Sequence, residues 1–505
     1  MYVRRIKSKN GKTYVQVIDK SSGKYKVIKN IGSSSDNTTI KRLLKEGSQW
    51  IKEQTGQQEL DFFNTQQTIE DFFSSIRQMN LIGLELLLGK IFDEIGFNQI
   101  KDDVFRQLVI QRIAFPRSKL KTIEYLKRYH NIDWSEDKIY RYLDKLYKDQ
   151  KERIQRISYE HTLKILGGQI SVVFYDVTTL YFQIDDEDEI RKRGFSKEGK
   201  HQNPQIVLGL LVSIDGYPLA YEIFEGNKFE GHTMLPVIDK FKGKYNLDKL
   251  IIVADSGLLS NQNIKELQQK GYEFILGARI KNENQKIKDK ILSLNLKNGE
   301  SKIIKKEQGL KLVISYSEKR ASKDYKNRER GLKRLQKQLK SGKLTKSHIN
   351  NRGYNKYLKM DGDITISIDM EKFDKDALWD GLKGYITNTD LPQDEIIENY
   401  SHLWKIEKAF RISKHDLKIR PFYHRLQRRI EAHVAISFVA YKIYKELERR
   451  LKEKKAKITP LKAIEIAENI FEIQLENDKT KEIVKKTLIL TEEQKYLSRL
   501  FDFGC

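Results

Sequence analysis

The chain has 505 residues, 39% hydrophobic and 33% charged, with a formal net charge of +25. That length accommodates two to four domains with cores of their own and a wet surface. No apolar run approaches the ~20 residues of a membrane span. The N-terminus "MYVRRIKSKNGKTY" lacks the apolar stretch of a secretory signal, and the lone cysteine, Cys505, excludes a disulfide framework or a cysteine-built zinc site within one chain. These features suit a reducing cytosol.

The predicted elements run as follows. Residues 1–33 alternate apolar and polar around turns at "KNGK" and "SSGK", predicting a small antiparallel sheet, and 38–54 predict a helix. From about 80 to 165 the pattern is helical. "LIGLELLLGKIFDEIGF", "DDVFRQLVIQRIAF" and "EDKIYRYLDKLYKDQKERIQRIS" each read as one amphipathic helix. "SKLKTIEYLKRYH" has basic residues suited either to reading DNA or to a solvated bundle surface.

Three β-like runs follow at 171–182, 204–213 and 217–224, then a helix (231–243), a strand (250–255), a helix (260–270) and a strand (272–278). Three antiparallel strands followed by alternating helix and strand is the order of a ribonuclease-H-like α/β core. Residues 281–375 interrupt it and read as an inserted domain. They hold the densest basic cluster, 321–360, with 13 Lys/Arg against Asp324 and Glu329. A strand at 378–389 and a long helical stretch from 392 to 453 resume the core, and the tail reads as helical. The expected domains are a small β/α domain (1–60), a helical, DNA-end-binding region (61–168), the core in two parts (169–280 and 376–455), the basic insertion (281–375) and the helical tail (456–505).

Three carboxylates stand out. Asp176 sits in the middle of "SVVFYDVTTLYF", where an ionised group in a sheet costs several kcal/mol unless paired or bound to metal. Asp255 ends the strand in "IIVADSGLLS", held at a strand end facing a cleft, although a lone aspartate there also serves as a helix N-cap. Glu407 lies in "YSHLWKIEKAFRISKHDLKIRP", beside an apolar stripe of Leu403, Ile406, Phe410 and Leu417 and on one face with Arg411 and Lys414. An exposed Glu407–Arg411 pair is the plain alternative. "DDEDE" (185–189) reads as a solvated loop, Trp404 as core or as a base-stacking surface, and His232, His402 and His433 as structural or DNA-facing. The positive excess points to nucleic acid, because each phosphate neutralised releases condensed counterions.

"YDVTTLYF", "VADSGLLS" and "YSHLWKIEKAFRISK" resemble the DDE transposases of bacterial insertion sequences, insertion-sequence family four and within it the branch numbered sixteen-thirty-four. Tyr400, Glu407 and Lys414 fall at the spacings of that group's Tyr-Arg-Glu-Lys signature, with Leu403 in the arginine position and Lys405 or Arg411 as replacements. The resemblance extends over "FEGNKFEGHT" and "RPFYHRLQRRIEAHVAISFVAY". It implies a ribonuclease-H-like (DDE) catalytic core in which Asp176, Asp255 and Glu407 bind two Mg²⁺ ions, with Mn²⁺ as a substitute. Tyr400, Trp404, Lys405, Arg411 and Lys414 would contact DNA. The implied activity is binding of terminal inverted repeats in double-stranded DNA, cleavage there and joining of the 3′ ends to target DNA. A synaptic homodimer, often a hairpin intermediate and a cytoplasmic, nucleoid-associated bacterial setting are implied with it. A nuclease without strand transfer and a non-catalytic DNA-binding relative are the competing expectations.

Overall fold

The structure is a computed structural model that describes residues 1–505 except 9–10, 22, 56–68, 197–198, 248, 351–352, 362–364, 421, 478–479 and 505. Cys505 and the expected boundary at residue 60 therefore lie outside the described residues. The chain divides into two compact units, residues 1–78 with 474–484, and residues 79–473 with 485–505. In the first, strands β1 (Tyr2–Lys7), β2 (Thr13–Asp19) and β3 (Lys26–Ser34) form an antiparallel sheet of order β1-β2-β3, followed by α1 (Asn37–Thr55).

Strand β4 spans Ile76–Leu81. It includes the start of the stretch expected as one helix over 81–97, whose helical part is a π turn at Glu85–Gly89 running into α2 (Lys90–Ile95). Then come α3 (Asp103–Ala114), α4 (Lys119–His130), α5 (Glu136–Asp149) and α6 (Lys151–Ile165). The single helix expected over 136–158 breaks at Gln150, whose φ of −121° leaves the helical region and whose Oε1 accepts the Tyr142 hydroxyl at 2.7 Å.

The second unit is built on an eight-stranded mixed sheet. Its strands are β5 (Val172–Tyr181), β6 (Gln205–Ser213), β7 (Pro218–Glu225), β8 (Ile251–Ala254), β9 (Glu273–Ala278), β10 (Ser301–Lys305), β11 (Lys311–Tyr316) and, after a separate hairpin of β12 (Leu358–Asp361) and β13 (Thr365–Ile368), β14 (Leu382–Thr387). The order across the sheet is β10-β11-β14-β9-β8-β5-β6-β7. β5, β8 and β9 are parallel neighbours, and the remaining pairings are antiparallel. β6 reads "QIVLGLLVS" and is buried throughout, as a strand covered on both faces must be.

Alternation along β5 sorts its side chains. Val172, Phe174 and Leu180 join one apolar cluster, while Val173, Tyr175 and Val177 join another. The second cluster is roofed by α7 (Met234–Tyr245) and α8 (Asn261–Gln269). The first is roofed by α12 (Gln393–Ser401), α13 (Trp404–Arg411) and α14 (Gln427–Glu453). α14 is apolar all round over "HVAISFVAY", the pattern of a helix enclosed by its neighbours. The long helical stretch expected from 392 to 453 comprises three α-helices. His402–Leu403 breaks it first, and a π turn at Ile412–Asp416 and an irregular segment precede α14.

The basic stretch is only partly separate from the sheet. β10 and β11 extend the main sheet beyond β14, whereas α10 (Glu318–Lys340; α9 is Gln285–Leu292), the β12–β13 hairpin and α11 (Met370–Ala377) share a small core of Leu332, Leu335, Tyr357, Leu358 and Phe373. The tail is not all helical. α15 (Pro460–Ala467) and α16 (Glu492–Phe501) flank strands β15 (Phe471–Glu476) and β16 (Ile483–Leu488), where alternating sequences such as "FEIQLE" carry the two-residue period. No described helix is long and apolar enough to cross a membrane.

Candidate active site

The parallel register between β5 and β8 ends at Tyr175 opposite Ala254. Asp176 and Asp255 are the next residues on their strands, so the sheet brings them side by side, with Cα atoms about 5 Å apart by strand spacing. Both continue the alternation of Phe174 and Val253 and face the cluster roofed by α12 to α14. On β9, Gly277 follows Leu276, which pairs with Ala254, and Gly277 itself pairs with Tyr385 of β14. Tyr385, Gly277, Asp255 and Asp176 thus form one row across four strands.

Tyr400 enters this row from α12. Its hydroxyl donates to Asp255 Oδ1 at 3.1 Å, and its ring meets Tyr385 edge-on at 4.8 Å. Gly277 makes room for it, because a Cβ there would overlap the Tyr400 hydroxyl and crowd the Ser256 N–H. Burial first, then the carboxylate of Asp255 and finally that of Glu407 push the Tyr400 phenol far above its ordinary value. The Lys383 ammonium of β14 sits 4.3 Å from the Tyr400 ring centre. Burial and then Arg320 lower its pKa, while Asp255 and Glu407 pull it up. Asp255 and Glu407 therefore act on the same two groups, Tyr400 and Lys383.

Glu407 is exposed on α13, whose Ile406 and Phe410 are buried as the stripe predicts, with Leu403 buried at its N-cap and Leu417 beyond its end. Leu403, in the arginine position of the signature, is 7% exposed and packed. Trp404 is 52% exposed, so the core reading of this residue is wrong; the Leu403–Ile406–Phe410 stripe faces the sheet and Trp404 lies off it.

The other expected DNA contacts scatter. Tyr400 is buried against the acid row, so its hydroxyl serves Asp255. Lys405 Nζ donates to the Ile214 carbonyl at 2.6 Å and lies 3.8 Å from Asp215, tied to the β6–β7 turn. It sits two residues, about 200° around the helix, from Glu407. Arg411 is exposed beside Tyr444 of α14, whose pKa it lowers against burial, Asp416 and Glu448. Lys414 lies half-buried within the π turn. The regular-helix projection that aligned it with Glu407 fails there, because a π turn holds more residues than an α turn. His433 is buried, with Nε2 3.1 Å from the Ile419 carbonyl oxygen. In the 185–189 loop, Asp188 pairs with Arg191 at 2.6 Å and the other four acids are exposed.

By donor type the three carboxylates fit a hard divalent cation, offering oxygen and no sulfur or imidazole. Asp176 and Asp255 are held together by register and Glu407 acts on the groups around Asp255. However, among the described residues no set of three His, Cys, Asp or Glu is gathered closely enough to hold a metal ion.

Two neighbours went unread in the sequence. Glu230 lies in a short turn with its Oε2 3.8 Å from where a Cβ on Gly257 would sit, next to Asp255's own turn. Lys383, in "LKGYIT", looked like an ordinary strand lysine. It lines a cavity of about 870 Å³ that also touches Ser256, Arg279 and Arg320. Strand alternation predicts only that Lys383 and Tyr385 share a face; the pairing across β9 brings that face to Asp255.

The family model described as Transposase DDE domain matches residues 167–443, more than half of the chain. The chain belongs to this family of DDE transposases. No curated protein matches it. Among solved structures it is similar to the piggyBac transposase in a synaptic complex with hairpin DNA, at 10% identity and a TM-score of 0.38, covering 77% of this chain and 79% of that one. It is also similar to the Mos1 transposase paired-end complex with left transposon end, at 12% identity and a TM-score of 0.16, covering 36% and 57%.

Proposed function

We propose that this chain is the transposase of a bacterial insertion sequence of family four, resembling the sixteen-thirty-four branch. It would bind the terminal inverted repeats of its element, cleave there and join the 3′ ends to target DNA. The observation that carries this reading is the in-register pair Asp176 and Asp255, with Glu407 acting on the same Tyr400 and Lys383 that surround Asp255.

The strand order β7-β6-β5-β8-β9 supports a ribonuclease-H-like core, with an inserted domain between β9 and β14. On this reading Asp176, Asp255 and Glu407 hold two divalent ions, Mg²⁺ or in its place Mn²⁺. Those carboxylates would place the ions where they would supply activation of a water or a 3′-hydroxyl and stabilisation of the leaving oxygen. The chain's own residues do the rest. Tyr400 fixes the rotamer of Asp255, exposed Trp404 offers a stacking surface to an unpaired base, and Arg411, Lys414 and Lys383 meet phosphates. The exposed cations of α10, among them Lys323, Lys326, Lys333 and Lys337, suit a DNA backbone. We assign residues 61–168 to end binding, and expect a synaptic homodimer working at the nucleoid in the cytoplasm.

The test is incubation of the protein with Mg²⁺ and a labelled DNA end taken from the flank of its gene. A nick leaving a 3′-hydroxyl, followed by joined products, is expected. Nicks without joined products would indicate a nuclease alone, and no cleavage of any flank would oppose the reading.

A further inference from the structure

A second basic site has none of the three carboxylates in its lining. A cavity of about 420 Å³ opens among α3, α4, α5 and α14 and residues Lys418, Arg420, Tyr423 and His424. Its wall carries five cations, Arg112, Arg117, Lys119, Lys418 and Arg420, and no carboxylate. Arg112 and Lys119 are each only 6% exposed. Neither side chain has a hydrogen bond or an ion pair among the described residues, and Arg112 Nε is buried without an acceptor.

Buried lysines and arginines are almost always paired, because a cation loses its hydration on burial and needs a counter-charge in return. Here two such cations stand close enough that Arg112 adds to the effect of burial in pushing the Lys119 ammonium well below its ordinary value. The lining supplies no carboxylate, so an anion bound here would offset the burial of both cations and hold them charged. The N-terminus of the twelve-residue α4 adds to the field. Ser118 caps it, its first turn holds no acid, and Ser118, Lys119 and Leu120 all line the cavity. At the same wall Tyr423 is 71% and Leu120 50% exposed, offering apolar surface beside the charge.

We propose that this cavity binds a phosphate group through Arg112 and Lys119, and that the phosphate is one of a DNA strand passing over Leu120 and Tyr423. The phosphate chemistry rests on these residues alone; DNA as its source rests on the function proposed above. The exposed tyrosine ring would stack on a sugar or base while the buried cations hold the backbone.

The experiment uses the full chain in phosphate-free buffer at fixed ionic strength, with Lys119→Met, Arg112→Met and the charge-conserving Lys119→Arg. In the first arm inorganic phosphate replaces chloride. The melting temperature of the wild type and of Lys119→Arg should rise by several degrees, and both methionine variants should lose most of that rise. Removing an unpartnered buried charge should leave Lys119→Met as stable in chloride as the wild type, so unfolding does not confound the comparison. No rise in the wild type, or an equal rise in the methionine variants, would overturn the site. In the second arm a random-sequence duplex is titrated at three salt concentrations. The methionine variants should bind about 10-fold more weakly, with the slope of log K against log salt smaller by about one per lost contact. Loss of the phosphate effect with unchanged duplex binding would overturn DNA as the source and leave a site for free phosphate. The first arm reads independently of cleavage, so its failure is distinct from failure of the transposase reading.

Discussion

The Tyr400 hydroxyl donates a hydrogen bond to Asp255 Oδ1 at 3.1 Å, joining the helix before Glu407 to the strand end of the second aspartate. A residue that the linear signature places among DNA contacts thus also holds a carboxylate within the chain. Tyr400→Phe keeps the ring against Tyr385 and removes only the hydroxyl. A hydrogen bond to a charged group contributes about 1.5–3 kcal/mol. We expect the cleavage rate to fall about 10-fold, equivalent to about 1.4 kcal/mol, with DNA affinity unchanged. Weaker binding at an unchanged single-turnover rate would mean that the hydroxyl serves DNA.

Gly277 and Tyr400 form a coupled pair. A methyl group at 277 overlaps the Tyr400 hydroxyl, so Gly277→Ala should destabilise the protein by about 1–3 kcal/mol, the range for overpacking. Tyr400→Phe removes the clashing oxygen, so the double variant should be more stable than the two single changes summed. Denaturant titration of the four proteins measures the coupling, and strict additivity would show that Tyr400 does not sit over Gly277.

Lys383→Met preserves the aliphatic stem beside Tyr400 and removes the charge. If Lys383 meets a strand phosphate, duplex binding should weaken and its salt slope should fall by about one. A variant with wild-type affinity and slope would confine Lys383 to balancing Asp255 and Glu407.

Much of this arrangement was legible in the sequence, and the limits have physical causes. The strand runs around Asp176 and Asp255 carry unmistakable β patterning, and the register that unites them follows once β5 and β8 are parallel. The stripe Leu403–Ile406–Phe410 predicted the buried face of α13 and the packing of Leu403. What failed was projection along a regular helix. The break at His402–Leu403 turns Tyr400 onto Asp255, and the π turn at Ile412–Asp416 shifts Lys414, neither of which periodicity reveals. Lys383 escaped notice because its role depends on a pairing partner more than 100 residues away, Gly277's strand.

Leu403→Arg should not restore a phosphate clamp. Leu403 is packed in the stripe, so the variant buries a guanidinium without a partner, which costs several kcal/mol. A lower melting temperature and no gain in cleavage are expected; faster cleavage would show that the helix presents this position to DNA.

Stability should fall on mild acidification. Burial pushes His161 down to about 3 and His130 down to about 4 from an ordinary 6.5. Both stay neutral in the folded chain while the unfolded chain protonates first, so the stability they contribute is lost as pH falls from about 6.5 towards 4. The melting temperature should drop between pH 7.5 and 5, and His161→Gln should flatten part of the drop. A flat profile over that interval would contradict neutral burial of these rings.

The most direct measurement compares cleavage of a labelled element end in Mg²⁺ by the wild type and by Asp176→Ala, Asp255→Ala and Glu407→Ala, with end binding measured in parallel. The account predicts that each variant binds the end nearly as well as the wild type and cuts it at least about 1,000-fold more slowly, a change of about 4 kcal/mol in the barrier. Cleavage near the wild-type rate by any one of the three would contradict the assignment of that carboxylate.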